Sequence, residues 1–528
     1  MTRKWLEGAA GLRQETVTRS FTKSTGKRAD ELISSSLRKR LIMKLQAQDQ
    51  KTFITPAHGG RLPFIRITRA VLENFKNVEY GEIDFRCGKY FVPYGSASDI
   101  LGLYGQNGSG KTAFIDALYI LKELMRGNKV PDLFSECIAK GKKFSRLTFV
   151  FELQYEDGRV RKAQYTFSLA SEEIASAGDR LETSADYAAV PASRYRVRVF
   201  DEVLSMSGPF HGSDQRMNPA IDTTGDEIPF GPKSRHKFLI GPDKTNQKTI
   251  QLQVNKQLAS ERSQSFIFMP ETLKTLTDYG YSEYLQVILE LNYYGLNYFF
   301  VVNTRSSGLI RLNLALLLHT PRGSFPIKTD RPTIMPDNTY KDVSNYISKV
   351  NLVIQKLIPG LTIELHTIAQ PIMEDGSTGK MIDIMAIRNG KTRMPLRDES
   401  DGIRRMISLL SLLTAAYNDP SFTLAIDEFD AGIFEYIFGE LLEMFEDKGM
   451  GQLIFTSHNL RPLEVIKKYY LYFTSTDPKD RYVQLKSIAR TNNMRNVYFR
   501  QIESGDEERV YNPTQRKEIE KAFREAME

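Results

Sequence analysis

From Phe64 onward the string "FIRITRAVLENFKNVEYGEIDF" alternates apolar and polar positions, the period of two shown by strands with one buried face. It predicts two paired strands with a turn near Tyr80 and Gly81. The next apolar run, in "ASDILGLYGQNGSGKT", has no alternation and predicts a fully buried strand entering a glycine-rich loop. The period then changes to that of a helix through "AFIDALYILKELM". At 146–169, "RLTFVFELQYEDGRVRKAQYTFSL" alternates again around Asp157 and Gly158, which marks a hairpin.

Residues 200–260 are rich in Gly, Pro, Ser, Asp and Lys with weak periodicity, and a loop-dominated insertion is expected there. Helical spacing resumes in "SEYLQVILELNYYGLNYFF" and in "YKDVSNYISKVNLVIQKLIPG", the second closed by a Pro-Gly stop. Strand character returns at "LTIELHTIAQ". The chain then alternates strand and helix through "RRMISLLSLLTAAY", "FTLAIDEFD", "FEYIFGELLEMFED" and "GQLIFTSHN", before a polar helix in "NPTQRKEIEKAFREAME". The pattern predicts an α/β protein: an extension at 1–60, an N-terminal lobe at 61–200, an insertion at 201–360 that is loop-rich then helical, a C-terminal lobe at 361–485 and a tail at 486–528. No sustained heptad and no repeat of 20–50 residues occurs, so neither a long coiled coil nor a solenoid is expected.

Composition changes this picture little. With 528 residues, 41% of them hydrophobic, the chain can bury a full core. No apolar run of about 18 residues occurs and "MTRKWLEGAAGLRQETVTRS" has no signal-peptide core, so a cytoplasmic protein without membrane partners is expected. Cys87 and Cys137 are too few for a disulfide framework or a zinc site and are expected in the core. Charge is more informative. Residues 1–51 carry twelve Lys or Arg against five acids, a surplus of seven out of the net +8. The basic charge is therefore an N-terminal arm, either a solvated helical extension or an arm that docks on nucleic acid or another partner.

The candidate chemistry starts at residues 105–112. Gly105, Gly110, Lys111 and Thr112 fit G-x-x-x-x-G-K-[ST] with a strand before and a helix after. In such a loop glycines let backbone N–H groups face phosphates, the lysine reaches the β and γ oxygens, and the hydroxyl ligates magnesium. A second magnesium carboxylate is needed at the end of a neighbouring buried strand, and "TLAIDE" supplies Asp427, with Glu428 placed to act as general base. Ser400 and Gly402 in "RDESDGIRRMISLLSLL" lie just ahead of a helix, with Ser400 27 residues before Asp427: either an ordinary capped helix or an anion site. His458 ends "LIFTSH", 31 residues after Asp427, either a structural histidine or a phosphate contact.

This order of motifs, together with "LENFKNVEYGEIDF", resembles the ABC-type ATPases, specifically their soluble RecF, SMC and OLD-like branch. The resemblance implies a P-loop ATPase head, a mixed β-sheet core with flanking helices and an antiparallel β-subdomain, here with a partly helical insertion. By resemblance, Gly105, Asn107, Gly108, Ser109, Gly110, Lys111 and Thr112 would form the Walker A loop around ATP and Mg2+. Asp427 would be the Walker B aspartate, Glu428 the catalytic glutamate, Asp430 the D-loop residue and His458 the switch histidine. Ser400 and Gly402 would be the signature residues, acting on ATP bound to a second copy, and Gln154 would be the Q-loop glutamine near the metal. The segment "ESDGIRR" keeps only Ser-x-Gly of the transporter signature. A homodimer or higher oligomer is implied.

Three uses of hydrolysis compete. The 289 residues between Lys111 and Ser400 are too many for a compact transporter motor, and no heptads fill them as a chromosome ATPase would require. The combination resembles ATPase subunits of bacterial anti-phage systems such as Septu and PARIS, which implies a sensor that controls a separate effector, such as a nuclease. A RecF-like repair ATPase that binds DNA is the alternative. Only 70 residues follow His458, too few for an appended Toprim nuclease, and "TDPKD" at 476–480 reads as a turn rather than a metal site. Arg194, Arg196 and Arg198 alternate with apolar residues, so a strand there would carry three guanidiniums on one face, either a charged edge or a contact to DNA or an acidic partner.

Overall fold

A computed structural model describes residues 62–85, 99–174, 194–243, 245–278, 282–303, 315–320, 323–373, 376–484, 494–496, 498 and 516–526. By its contacts the chain forms two units, Met1–Leu62 and Pro63–Glu528. The basic arm and Cys87 lie outside the described residues, while Cys137 is buried in the second unit.

The alternating segment forms β1 (Phe64–Phe75) and β2 (Val78–Asp84). They turn at Lys76 and Asn77 rather than at Tyr80 and Gly81, which sit inside β2 opposite Glu73 and Leu72. Asn74 and Lys76 take left-handed backbone, φ +55° and +54°, and so make the tight reversal that the glycine was expected to make. β3 (Asp99–Tyr104) leads through the loop into α1 (Lys111–Met125). β4 (Ser145–Gln154) and β5 (Val160–Glu173) form the expected hairpin.

The expected loop-dominated insertion is largely regular structure. β6 (Tyr195–Phe210) and β7 (Ser213–Asp222) extend the antiparallel sheet, whose strand order is β2-β1-β4-β5-β6-β7. Three register shifts along β5–β6–β7, with Gly208 and Pro219 beside them, break the alternation that would have marked these strands. Then come α2 (Gln247–Glu261), α3 (Pro270–Thr277), α4 (Glu283–Asn297) and β8 (Phe299–Val302).

Beyond a two-stranded hairpin, β9 (Ala315–Thr320) with β10 (Gly323–Lys328), lies a second small sheet. In it β13 (Gly379–Arg388) pairs with β11 (Thr333–Pro336), β12 (Leu361–Ala369) and β14 (Thr392–Pro395). Packed on it is α5 (Asp337–Leu357), whose Val343, Ile347, Val350 and Ile354 recur at helical spacing and meet Ile363, Ile382 and Ile384 of the sheet.

The last lobe supplies α6 (Asp401–Asn418), β15 (Thr423–Ile426), α7 (Glu435–Lys448), β16 (Gln452–Thr456), β17 (Leu471–Thr474) and β18 (Tyr482–Val483), and the polar tail helix α8 spans Arg516–Glu525. The central sheet runs β18-β17-β3-β16-β15-β8, parallel throughout except for β17–β18. Its strands are short and almost wholly buried, as parallel strands covered on both faces are. The core that covers it takes Met406, Leu409, Leu412 and Leu413 from α6, whereas Ile407 and Leu410 on another face of α6 join the core of the small sheet. Serving two cores explains the nearly unbroken apolar run of that helix; each fully buried Leu or Ile contributes roughly 1.5–3 kcal/mol.

Two cross-links fasten the antiparallel sheet along the parallel one. At the N-terminal ends of the parallel strands, Gln452 exchanges hydrogen bonds with Ile67 N (3.2 Å) and O (2.8 Å), and buried Arg66 donates to Met450 O (2.8 Å). At the opposite end the Lys76–Asn77 turn closes over the glycine-rich loop: Asn77 Nδ2 donates to Gly108 O, and Arg481 Nη2 donates to Asn77 O (2.6 Å).

Candidate functional site

The buried strand β3 delivers the chain to Gly105, and the loop from there to Lys111 holds Gly105, Gly108 and Gly110 at φ +148°, +74° and +107°. At Gly105 a Cβ would stand 1.7 Å from Thr474 Oγ1 of β17, so only glycine lets the two segments touch. The rest of the loop is tied to the same strand and its hairpin. Ser109 Oγ lies 2.5 Å from both Gln106 O and Thr474 Oγ1, and the Tyr482 hydroxyl donates to Gly110 O (2.9 Å). α1 starts at Gly110 with no side-chain cap, which leaves a helix N-terminus suited to an anion, with Thr112 in its first turn. Asn107 and Gly108 form the exposed lip. Lys111 Nζ donates to Gly105 O (2.6 Å) and Gln106 O (2.9 Å). Burial pushes its ammonium down to about 8, against the pull of Asp427, Glu428 and Asp430.

Those three carboxylates come from the turn after β15. The strand is buried at all four positions and carries Asp427 to the same edge of the sheet, fully buried, where its N–H donates to Val302 O (2.8 Å). Thr456, the last residue of β16, organises the turn. Its Oγ1 donates to Asp427 Oδ1 (2.7 Å) and accepts from Glu428 N (2.8 Å), while its carbonyl accepts from Phe429 N (2.9 Å). Glu428 sits at φ +48°, a left-handed conformation costing a non-glycine residue roughly 1–2 kcal/mol. Backbone strain of this kind concentrates where geometry matters more than stability. Asp430 accepts from the backbone N–H of His458 (3.2 Å) and Asn459 (3.0 Å), which fixes the histidine beside the carboxylates. Partial desolvation, then the Lys111 charge, push the His458 imidazole below its ordinary value, against Asp430, Glu428 and Asp427. The ring is accordingly neutral near pH 7.

Ser400 caps α6, its hydroxyl accepting from Ile403 N at 3.4 Å, and it is exposed. Gly402 presses on Gly432: a Cβ at position 402 would stand 2.4 Å from Gly432 O, and one at 432 would stand 2.7 Å from Gly402 Cα. The start of α6 thus lies against the loop that follows Glu428. One turn further, Arg405 Nη2 donates to Asp427 O (2.9 Å) and Glu428 O (2.7 Å).

The structure therefore brings Lys111, Asp427, Glu428, Asp430 and His458 to one edge of one sheet, with Ser400 and Gly402 beside them. Gln154 is elsewhere. It ends β4 opposite Phe64, at the start of β1, whereas the glycine-rich loop meets the far end of β1. Eleven steps of a strand separate those ends, roughly 36 Å at 3.3 Å per residue. The expectation that Gln154 approaches the metal thus fails on geometry. The neighbour of the Asp427 strand at this edge is β8, and the residue after it, Asn303, donates through Nδ2 to Asp116 Oδ1, one turn after Thr112 on α1. Asp116 is fully buried and also pairs with Lys76 from the β1–β2 turn.

Sequence reasoning missed Asn303, Thr456, Asp116 and Arg405. Asn303 and Thr456 each stand at the end of an apolar run, a signal that could have found them; Asp116 and Arg405 lie inside amphipathic helices and carry none. The arginine ladder is also resolved. Arg196 and Arg198 pair with Glu172 (3.0 and 3.2 Å) and Arg194 pairs with Glu173, while Arg196 Nη1 donates to Glu261 O at the end of α2 (2.7 Å). These are internal bonds of the antiparallel sheet. The segment at 476–480 is a turn whose Pro478 carbonyl accepts from Glu79 and Tyr80 N–H (2.8 and 2.9 Å).

Among the described residues no group of three or more His, Cys, Asp or Glu side chains could hold a metal by itself. The donor set of Thr112 and Asp427 nevertheless fits magnesium, which keeps several waters and takes one or two protein oxygens plus phosphates. No described helix is long and apolar enough to cross a membrane.

No family model and no curated protein matches the chain. Several solved structures do. One is the Smc head domain with an extended coiled coil bound to the C-terminal domain of ScpA, derived from Pyrococcus furiosus: 14% identity, 83% of this chain and 99% of that one, TM-score 0.36. The SMC head domain from Thermotoga maritima matches at 13% identity over 80% of this chain and 100% of its own, TM-score 0.31. The recombination mediator protein RecF of the RecFOR pathway matches at 14% identity, with 80% and 100% covered and a TM-score of 0.31.

Proposed function

We propose that this chain is an ATP-hydrolysing head of ABC type that closes on ATP together with a second copy of itself. The observation that carries the reading is the convergence of a glycine-rich loop, Lys111, Asp427, Glu428 and His458 at the C-terminal edge of one parallel sheet. Loop amides and Lys111 hold the phosphates. Thr112 and Asp427 would hold a magnesium ion, whose charge neutralises phosphate oxygens. Glu428 takes the proton from the water that attacks the γ-phosphorus as the bond to the β-γ bridging oxygen breaks, and neutral His458 offers a hydrogen bond at the same point. Ser400 is exposed at the N-terminus of α6 and Gly402 packs on Gly432, which supports the reading that they serve nucleotide held by another copy.

The test is phosphate release from ATP by wild type and Glu428→Gln, with mass measured by light scattering with and without ATP. We expect release by wild type alone, and an ATP-dependent oligomer that persists in the variant. Equal release by both proteins sinks the role of Glu428. A monomer under every condition sinks the shared site.

By resemblance alone, the role proposed for this ATPase is that of a regulator of a separate effector, such as a nuclease in anti-phage defence; the internal pairing of Arg194, Arg196 and Arg198 lends nothing to a DNA-binding alternative. Purification of the chain with its neighbouring gene products, with and without ATP, tests this role: a nucleotide-dependent complex is expected, and ATP-dependent binding to DNA without any protein partner overturns it.

A further inference from the structure

Glu428 is gripped from two sides by elements of different character. On one side Thr456 belongs to β16, a fully buried strand in the middle of the central sheet; it accepts from the backbone N–H of Glu428 (2.8 Å) and Phe429 (2.9 Å) and donates to the Asp427 carboxylate (2.7 Å). On the other side the only side chain among the described residues that reaches the Asp427 and Glu428 carbonyls is Arg405, at 2.9 and 2.7 Å. Arg405 rides on α6, whose cap Ser400 and first residue Asp401 are exposed and whose cap bond is long at 3.4 Å. Five residues, about 7.5 Å of helix at 1.5 Å each, separate it from Ser400.

The guanidinium contributes more than two hydrogen bonds. Its positive charge lies beside Asp427, Glu428 and Asp430, so it also offsets their mutual repulsion at the one place where Glu428 takes a left-handed backbone. Its Nε is buried without a hydrogen-bond partner among the described residues.

We infer that Arg405 is a positioning residue: it sets the backbone of Glu428 and makes the aim of that carboxylate depend on where α6 lies, so that engagement at Ser400 is transmitted to the general base. The inference rests on the proposed ATPase reading. An anion held at the start of α6 acts on a helix that, within two turns, touches the turn carrying the base through Arg405. Thr456 anchors the turn to the sheet while Arg405 connects it to α6.

The experiment compares wild type, Arg405→Gln and Arg405→Lys in the full chain by steady-state ATPase kinetics, equilibrium ATP binding and thermal melting. Arg405→Gln is expected to lower kcat at least about tenfold while ATP affinity stays within about threefold, the pattern of a lost transition-state arrangement rather than lost binding. Arg405→Lys keeps the charge but loses the fork, so it recovers part of kcat. In a Glu428→Gln background Arg405→Gln costs nothing further, because the two residues act as a unit. A merely structural role predicts instead that kcat, affinity and melting temperature fall together, with no rescue by lysine, and that result overturns the inference. So does a kcat within twofold of wild type. Absence of hydrolysis by wild type would instead overturn the ATPase reading itself, which keeps the two failures apart.

Discussion

The glycine-rich loop at 105–112 and the arm formed by α6 with the turn after β15 flank the same site but are built on opposite plans. The loop is contiguous. Its shape follows from three glycines with positive φ and from contacts to β17, β18 and the β1–β2 turn, all within the sheets. The arm is assembled from pieces far apart in sequence: Ser400, Gly402 and Arg405 from a helix, Glu428 and Asp430 from a strand end, Thr456 and His458 from another. A contiguous cradle is rigid by construction. A composite arm can change with the placement of one helix, which suits a loop that holds nucleotide and an arm that decides when it is hydrolysed.

The comparison is most sharply broken by Glu428→Gln, which belongs to the arm. It should reduce phosphate release by on the order of 10²–10³-fold while ATP binding survives, because general-base loss falls on the chemical step. The loop counterpart is Lys111→Ala, expected to weaken ATP binding by about 30–100-fold in calorimetry through loss of charge-assisted contacts to phosphate. If Lys111→Ala spared binding and Glu428→Gln abolished it, the division of labour between loop and arm would be reversed.

Gly402→Ala probes the arm without touching chemistry. Its Cβ would meet Gly432 O at 2.4 Å, so backbone must shift, at about 1–3 kcal/mol of stability by analogy with overpacked cores. Hydrolysis should fall more than nucleotide affinity, and a variant with both unchanged would show that the α6 contact is idle. A pH titration sharpens the loop side. Free Lys111 has its pKa lowered to about 8 by burial, and phosphate favours the protonated form. Below about 8 the lysine is already charged and ATP affinity is flat; above it binding must take up a proton, so affinity falls by up to about tenfold per pH unit. Calorimetry from pH 6.5 to 9.5 checks this, and Lys111→Ala should erase the slope. The smallest effect is expected from Arg196→Glu, which breaks a half-exposed pair with Glu172 and should cost roughly 0.5–1 kcal/mol in denaturant melts without altering ATP hydrolysis.

The same contrast explains what could be read in advance. The β4–β5 hairpin was legible because Asp157 and Gly158 fall in an uninterrupted alternation, and α5 because its apolar residues keep one spacing. The second half of β6 and all of β7 are not, because bulges slip the register and exchange the faces that alternation would reveal. Resemblance puts Gln154 beside the metal, yet it ends β4 opposite Phe64, the length of the twelve-residue β1 away from the glycine-rich loop. Arg194, Arg196 and Arg198 form a ladder that the sequence displays, yet they are satisfied by Glu172, Glu173 and the end of α2, whereas Arg405, one turn into a helix with no local signal, touches the backbone of the proposed base.

What the amino-acid sequence by itself determined is the cradle and the order of strands that present acids at their ends, since glycine conformation, hydrophobic period and the strand-loop-helix unit act over a few neighbouring residues. Only the tertiary structure decided the rest: that Thr456 and Arg405 hold Glu428 between a buried strand and a helix with an exposed start, and that Asn303, not Gln154, stands beside Asp427. Those contacts join residues 22 to more than 120 positions apart, and they follow from parallel strand pairing and from a helix shared by two cores, which no local pattern encodes.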